Sequence, residues 1–162
     1  MTSASTSDRE IVFEREFNAP RNMVFKAWTE PERLTHWWGP TDWTLPVCNI
    51  DLRPGGVWHY CMRGPNGEES WGKATYSEIV EPVRLVYTDA FSDAAGNVNE
   101  AMPQMEITVT FAEGAGKTNV TMRALAASAE QVKQLLGMGM EEGMKQTWAR
   151  LDAYLASALA SS

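Results

Sequence analysis

The chain has 162 residues, with 14 Lys and Arg against 21 Asp and Glu for a net charge of −7, and its sequence pI is about 4.8. A chain of this size folds to a surface on the order of 8,000 Å² around one core and is too short for two domains. The negative charge is spread over both halves, −4 in residues 1–81 and −3 in 82–162, and such a field repels phosphate backbones, which excludes nucleic acid as a partner.

Residues 1–9 contain Ser3, Ser5, Thr6 and Ser7 without a basic start or an apolar run. They read as a disordered tail on a cytoplasmic protein, not a signal peptide. Residues 10–160 then form one domain. Ile11, Phe13 and Phe17 oppose Glu14 and Glu16, as in a half-buried strand over 10–17. Pro20 opens a short helix carrying Met23, Val24, Ala27 and Trp28, at the position where a first turn tolerates proline. Thr29-Glu30-Pro31-Glu32 has the form of a capping box before a second short helix, which stops at Gly39-Pro40.

Further strands are expected near 44–52, 57–63, 70–80, 84–91, 104–112 and 117–125, separated by turns at Pro54-Gly55-Gly56, Pro65-Asn66-Gly67 and Glu81-Pro82. Alternation is clearest in the last pair: Met105, Ile107, Val109 and Phe111 share one face, as do Val120, Met122 and Ala124. One-sided strands joined by hairpins imply an α+β fold, with an antiparallel sheet of about seven strands covered on one face. The cover is the C-terminal segment, which starts at Ser128-x-x-Gln131 and repeats Met140, Met144, Trp148, Leu151 and Leu155 at helical spacing, with Arg150 on its polar side. Gly137 and Gly139 predict a break near 137–139.

In the 44–63 hairpin two registers compete. One sets Cys48 opposite Cys61; the other slips by one residue through Gly55-Gly56 and joins Cys48, Ile50 and Leu52 to Trp58, Tyr60 and Met62. The second keeps one face apolar and is preferred. It points Cys61 and His59 away from Cys48, so neither a disulfide nor a metal site of His36, His59, Cys48 and Cys61 is expected. No catalytic residue, cofactor or metal is assigned. The strand carboxylates Glu78, Asp89 and Glu106 read as solvated outer-face groups, although Asp89 shares parity with Leu85, Tyr87 and Phe91. The methionine stripe fits a packed core or, left partly open, an apolar pocket with Tyr60, Tyr76, Tyr87 and Arg15 as polar handles.

The element order and several words of the sequence resemble the START-like (SRPBCC, Bet v 1-like) superfamily, and within it the branch related to the C-terminal domain of the activator of Hsp90 ATPase. The words are Ala19-Pro20-Arg21, Ala27-Trp28-Thr29, Trp37-Trp38-Gly39-Pro40, Asp51-Leu52-Arg53-Pro54-Gly55-Gly56, Met62-Arg63-Gly64-Pro65, and Arg84-Leu85-Val86-Tyr87-Thr88. The resemblance implies a helix-grip fold, its curved sheet wrapped around a long C-terminal helix with a cavity between them for a lipid, polyketide or similar hydrophobic or aromatic molecule. Lining the cavity would be Trp58, Tyr60, Met62, Tyr76, Tyr87, Asp89, Met105, Ile107, Met122, Met140, Met144 and Trp148. Met144 departs from relatives that often carry Trp there.

Three functions follow: a non-catalytic binding protein, a small cyclase- or hydrolase-like enzyme in the same cavity, and a chaperone-linked stress-response module. The last is lowered by a length that leaves no room for the co-chaperone's additional N-terminal domain. Expected partners are the hydrophobic ligand and, left open, a second copy of the chain; membrane insertion is not expected, because no run approaches the roughly 20 apolar residues of a spanning helix.

Overall fold

The alternating segments assemble into one curved antiparallel sheet in the computed structural model, which describes residues 2–160. Its strands are β1 (Ser3–Thr6), β2 (Glu10–Phe17), β3 (Thr44–Ile50), β4 (Val57–Arg63), β5 (Glu69–Val80), β6 (Arg84–Phe91), β7 (Gln104–Gly114) and β8 (Lys117–Ala126). They lie in the order β1-β2-β8-β7-β6-β5-β4-β3. From β3 to β8 each strand pairs with the next in sequence. The chain passes from β2, beside one edge, to β3, at the other, through helices α1 (Arg21–Thr29) and α2 (Pro31–Leu34). The folded surface is 8129 Å², as expected for one core.

The eighth strand is β1, inside the segment expected to be a disordered tail. Ser3 to Thr6 pair with β2 from Ser3↔Glu14 to Thr6↔Ile11, because β2 would otherwise present an open row of backbone donors and acceptors at the sheet edge. Small polar residues without alternation give no strand signal, so this pairing is set by the edge and not by the side chains of β1.

The preferred hairpin register is the one found, with Cys48 opposite Tyr60 and Ile50 opposite Trp58. At the turn, the Gly55 amide donates to the Tyr76 carbonyl, and the Tyr76 amide donates to that of Gly56. Both cysteines are free. Continued across the sheet, this register aligns Ile50, Trp58, Ala74, Asp89, Met105 and Ala126 in one row. The next row contains Cys48, Tyr60, Gly72 and Phe91.

The C-terminal segment covers this face as α3 (Ala129–Gly137) and α4 (Met140–Ala160). The break falls where it was expected, with Gly139 at φ +86°, a conformation that glycine adopts without steric cost. Ser128 caps α3 through its side chain, which accepts from the Gln131 amide at 3.2 Å, and Gln131 Oε1 accepts from the Ala127 amide. The capping box at Thr29 does not form: Thr29 closes α1, its hydroxyl donating to the Phe25 carbonyl at 3.0 Å, and α2 starts after Glu30 without a side-chain cap.

Arg150 does not lie on a solvated face. Its Nη1 donates to the carbonyls of Gly39, Pro40 and Trp43 at 2.8, 3.0 and 3.1 Å, tying α4 to the loop that follows α2. Gln146 adds a bond from the Thr41 amide at 3.1 Å. Among the described residues, no helix is long and apolar enough to cross a membrane.

Candidate ligand cavity

Between the inner face of the sheet and the α3–α4 break lies a cavity of about 280 Å³. Strands β4, β6, β7 and β8 supply Tyr60, Met62, Tyr87, Asp89, Met105, Ile107 and Met122, and α4 adds Met140 and Met144. Strand parity is the reason these meet: each points from the same face of the sheet, and Met140 and Met144 are one helical turn apart. Met138, at the break, also lines the space while remaining 50% exposed, so the break forms part of the cavity's rim.

The other three expected lining residues do not reach the cavity. Trp58 and Trp148 are 1% and 0% exposed, and Tyr76 is 2% exposed. Trp148 packs edge-on against Phe13, Phe17 and Trp28, so it fills the end of the core under β2 and α1. Trp58 lies between Trp38 and Tyr87, and Tyr76 packs against Tyr87. Arg15, the remaining polar handle, pairs with Asp152 at 3.3 Å and lies over the Phe17 ring.

Trp38 takes the place these residues vacate. It belongs to the Trp37-Trp38-Gly39-Pro40 segment, lines the cavity together with Gly39 and Pro40, and stands 4.8 Å from Trp58 and 6.0 Å from Tyr60 between ring centroids. In the sequence it is only part of that segment, because nothing local shows that the turn after α2 folds back over β4. Phe91, Leu135 and Thr147 are further lining residues absent from the expected set.

The cavity's polar feature is a pair of side chains from nonadjacent strands. The Tyr60 hydroxyl on β4 donates to Asp89 Oδ1 on β6 at 3.2 Å, across the intervening strand β5. Gly72 makes that crossing feasible: it is the residue opposite Tyr60, and a Cβ there would stand 2.3 Å from Tyr60 Cζ and 2.4 Å from its hydroxyl oxygen. The ring therefore lies flat over the glycine. A cross-strand glycine facing an aromatic residue was the available signal, and it becomes readable only once the register is known.

Burial dominates the electrostatics. Desolvation pushes the Asp89 carboxyl up to about 7, with the Tyr60 hydrogen bond and the Ala90 amide partly opposing it. Desolvation and the Asp89 charge push the Tyr60 and Tyr87 phenols well above their usual value, so both stay protonated. Asp89 thus faces the cavity, on the side that its parity with Leu85, Tyr87 and Phe91 implies. Glu78 pairs with Arg84, and Glu106 is exposed on the other face. His59 stacks on Trp71 and His36 on Tyr154; among the described residues no three of His, Cys, Asp and Glu are placed to hold a metal ion.

Residues 18–156 match the family described as Activator of Hsp90 ATPase homolog 1-like protein. A crystal structure of protein Ms6760 from Mycobacterium smegmatis is 32% identical, with 96% of this chain and 95% of that one aligned at a TM-score of 0.86. A solution structure from Staphylococcus epidermidis is 31% identical over 96% and 94% of the two chains, at a TM-score of 0.84. One from Arthrobacter aurescens is 28% identical over 96% and 91%, at 0.89. No curated protein matches the sequence.

Proposed function

For a chain that belongs to the Activator of Hsp90 ATPase homolog 1-like family, we propose that the cavity between the sheet and the α3–α4 break binds a small, largely apolar molecule. The observation that carries this reading is the open space of about 280 Å³ walled by thioethers and aromatic rings, just below the range of roughly 300–1,000 Å³ typical of ligand pockets. Tight packing is the rule in protein interiors, so a void of this size facing six methionines, Met62, Met105, Met122, Met138, Met140 and Met144, argues for an occupant. Unbranched methionine side chains adapt to the shape of whatever enters. Native mass spectrometry and solvent extraction of the purified protein test the reading. A copurifying apolar compound, or saturable binding of a naphthalene-based fluorescent probe, supports it; a probe that stays in water at every concentration counts against it.

The Tyr60–Asp89 pair favours a second reading, acid–base chemistry on the bound molecule. A carboxyl near 7 is suited to exchanging a proton at neutral pH. If this is the function, Asp89→Asn abolishes turnover of any substrate found, and Tyr87→Phe separates proton transfer from binding by lowering the rate without loss of affinity. An activator role towards an Hsp90-type ATPase rests on the family description alone, and stimulation of ATP hydrolysis by the purified protein would establish it.

A further inference from the structure

An apolar enclosure and a carboxylate make opposite demands on an occupant, and Asp89 is the place where both must be met. It is the only acidic residue among those lining the cavity, and no Lys, Arg or His lines it. No ion pair among the described residues includes Asp89. The titratable groups facing it are the phenols of Tyr60 from β4 and of Tyr87 on its own strand, and β7 and β8 bring Met105 and Met122. The helices contribute Leu135, Met140, Met144 and Thr147, none of which titrates. The Tyr60 hydroxyl takes one acceptor position on Oδ1, while the charge itself has no countercharge in the cavity wall.

Such a charge is costly to bury unless an opposite one is brought to it. A ring face attracts a cation, and more strongly when water is excluded; Tyr60, Tyr87, Trp38 and Phe91 all line the same space. An anionic ligand meets the reverse situation, a like charge with no cation to offset it.

We propose that the cavity selects a hydrophobic amine, whose apolar body fills the methionine-lined space and whose ammonium group meets the Asp89 carboxylate among the aromatic rings. This rests on the ligand-binding reading above and narrows it to a charge class. It has a signature in pH. An ammonium favours the ionised carboxylate, so binding below the titration of Asp89, at about 7, must expel a proton. Affinity for a fixed cation then falls by about tenfold from pH 8 to pH 6 and about a hundredfold from pH 8 to pH 5.

The test uses two probes of the same shape, (naphthalen-2-ylmethyl)trimethylammonium, whose charge does not titrate, and its uncharged carbon isostere 2-neopentylnaphthalene. Binding is followed by fluorescence titration to the full chain. The expected result is a preference for the cation of about tenfold or more at pH 8, lost as the pH falls, with a flat profile for the isostere. In Asp89→Asn the preference and the slope disappear while the isostere still binds, which also shows that the variant is folded. Should that variant not fold, the contrast between the two wild-type pH profiles decides. Binding of the isostere alone, or of the cation with no pH slope, overturns the amine assignment and leaves the cavity reading standing. Failure of both probes to bind overturns both.

Discussion

Asp89 faces inward because strand parity leaves it no alternative: it sits in the row of Trp58, Ala74 and Met105, and turning it out would turn the whole of β6. The consequence for stability has a definite sign. Its folded-state carboxyl lies at about 7 against an ordinary value of 3.8, so between those two values the folded state holds the extra proton. Stability contributed by that proton is present at low pH and is lost as the pH rises through about 7. Asparagine has the same shape and no charge to desolvate. Asp89→Asn is therefore expected to exceed the wild type by roughly 2–4 kcal/mol at pH 8 and to match it near pH 4. Urea denaturation at the two pH values measures the difference, and an offset of equal size at both would show that Asp89 does not titrate in this range. Removing the donor acts in the other direction on the group itself: because the Tyr60 bond lowers the Asp89 value, Tyr60→Phe moves the carboxyl further above its ordinary range, observable in a carboxyl carbon NMR titration.

The elements were legible to different degrees, for physical reasons that can be named. The β3–β4 register could be read because one of its two alternatives mixes Asp51 and Asn49 with Trp58 and Tyr60, and the α3–α4 break because two glycines interrupt an otherwise continuous apolar stripe. Strand β1 could not, since its pairing is dictated by the open edge of β2. Nor could the role of Arg150, whose three carbonyl partners lie 107 to 111 residues away in sequence. That cluster is where α4 is held against the loop carrying Trp38. Arg150→Ala leaves three carbonyls without their charged donor, and a loss of about 2–3 kcal/mol is expected from hydrogen bonds to a charged group. All three bonds come from Nη1; a lysine ammonium also carries three donors, but its stem ends one bond short of that position, so Arg150→Lys recovers only part of the loss. Because Gly39 and Pro40 also line the cavity, the alanine variant is further expected to bind a naphthalene probe more weakly; equal affinity would place the loop outside the binding surface.

At the scale of the whole molecule the tryptophans and methionines divide the labour of the interior. Trp28, Trp37, Trp58 and Trp148 are all fully buried and join through ring contacts with Trp38 into one continuous aromatic layer, while the methionines gather where that layer stops and the space opens. Parity and helical spacing predict one space for Met62, Met105, Met122, Met140 and Met144, and all five line the cavity, whereas Trp58 and Trp148, expected beside them, are buried in the core. Trp58 and Trp148 resemble lining residues in sequence, yet Trp58 packs against Trp38, Tyr60 and Tyr87 and Trp148 against Phe13, Phe17 and Trp28, which takes both rings out of the open space. An open cavity and a closed core differ in what they tolerate. Met144 lines the cavity from α4, and Met144→Trp places a larger ring into it. If the space of about 280 Å³ is available, the ring fills it at little cost or with a gain in contacts, so the melting temperature holds or rises while affinity for a naphthalene probe falls by about tenfold or more, equivalent to about 1.4 kcal/mol. If the space instead collapses in solution, the same substitution overpacks a closed core, and a loss of about 1–3 kcal/mol is expected. Calorimetric melting and probe titration of the one variant therefore distinguish a cavity kept open for a ligand from a core that happens to be rich in methionine.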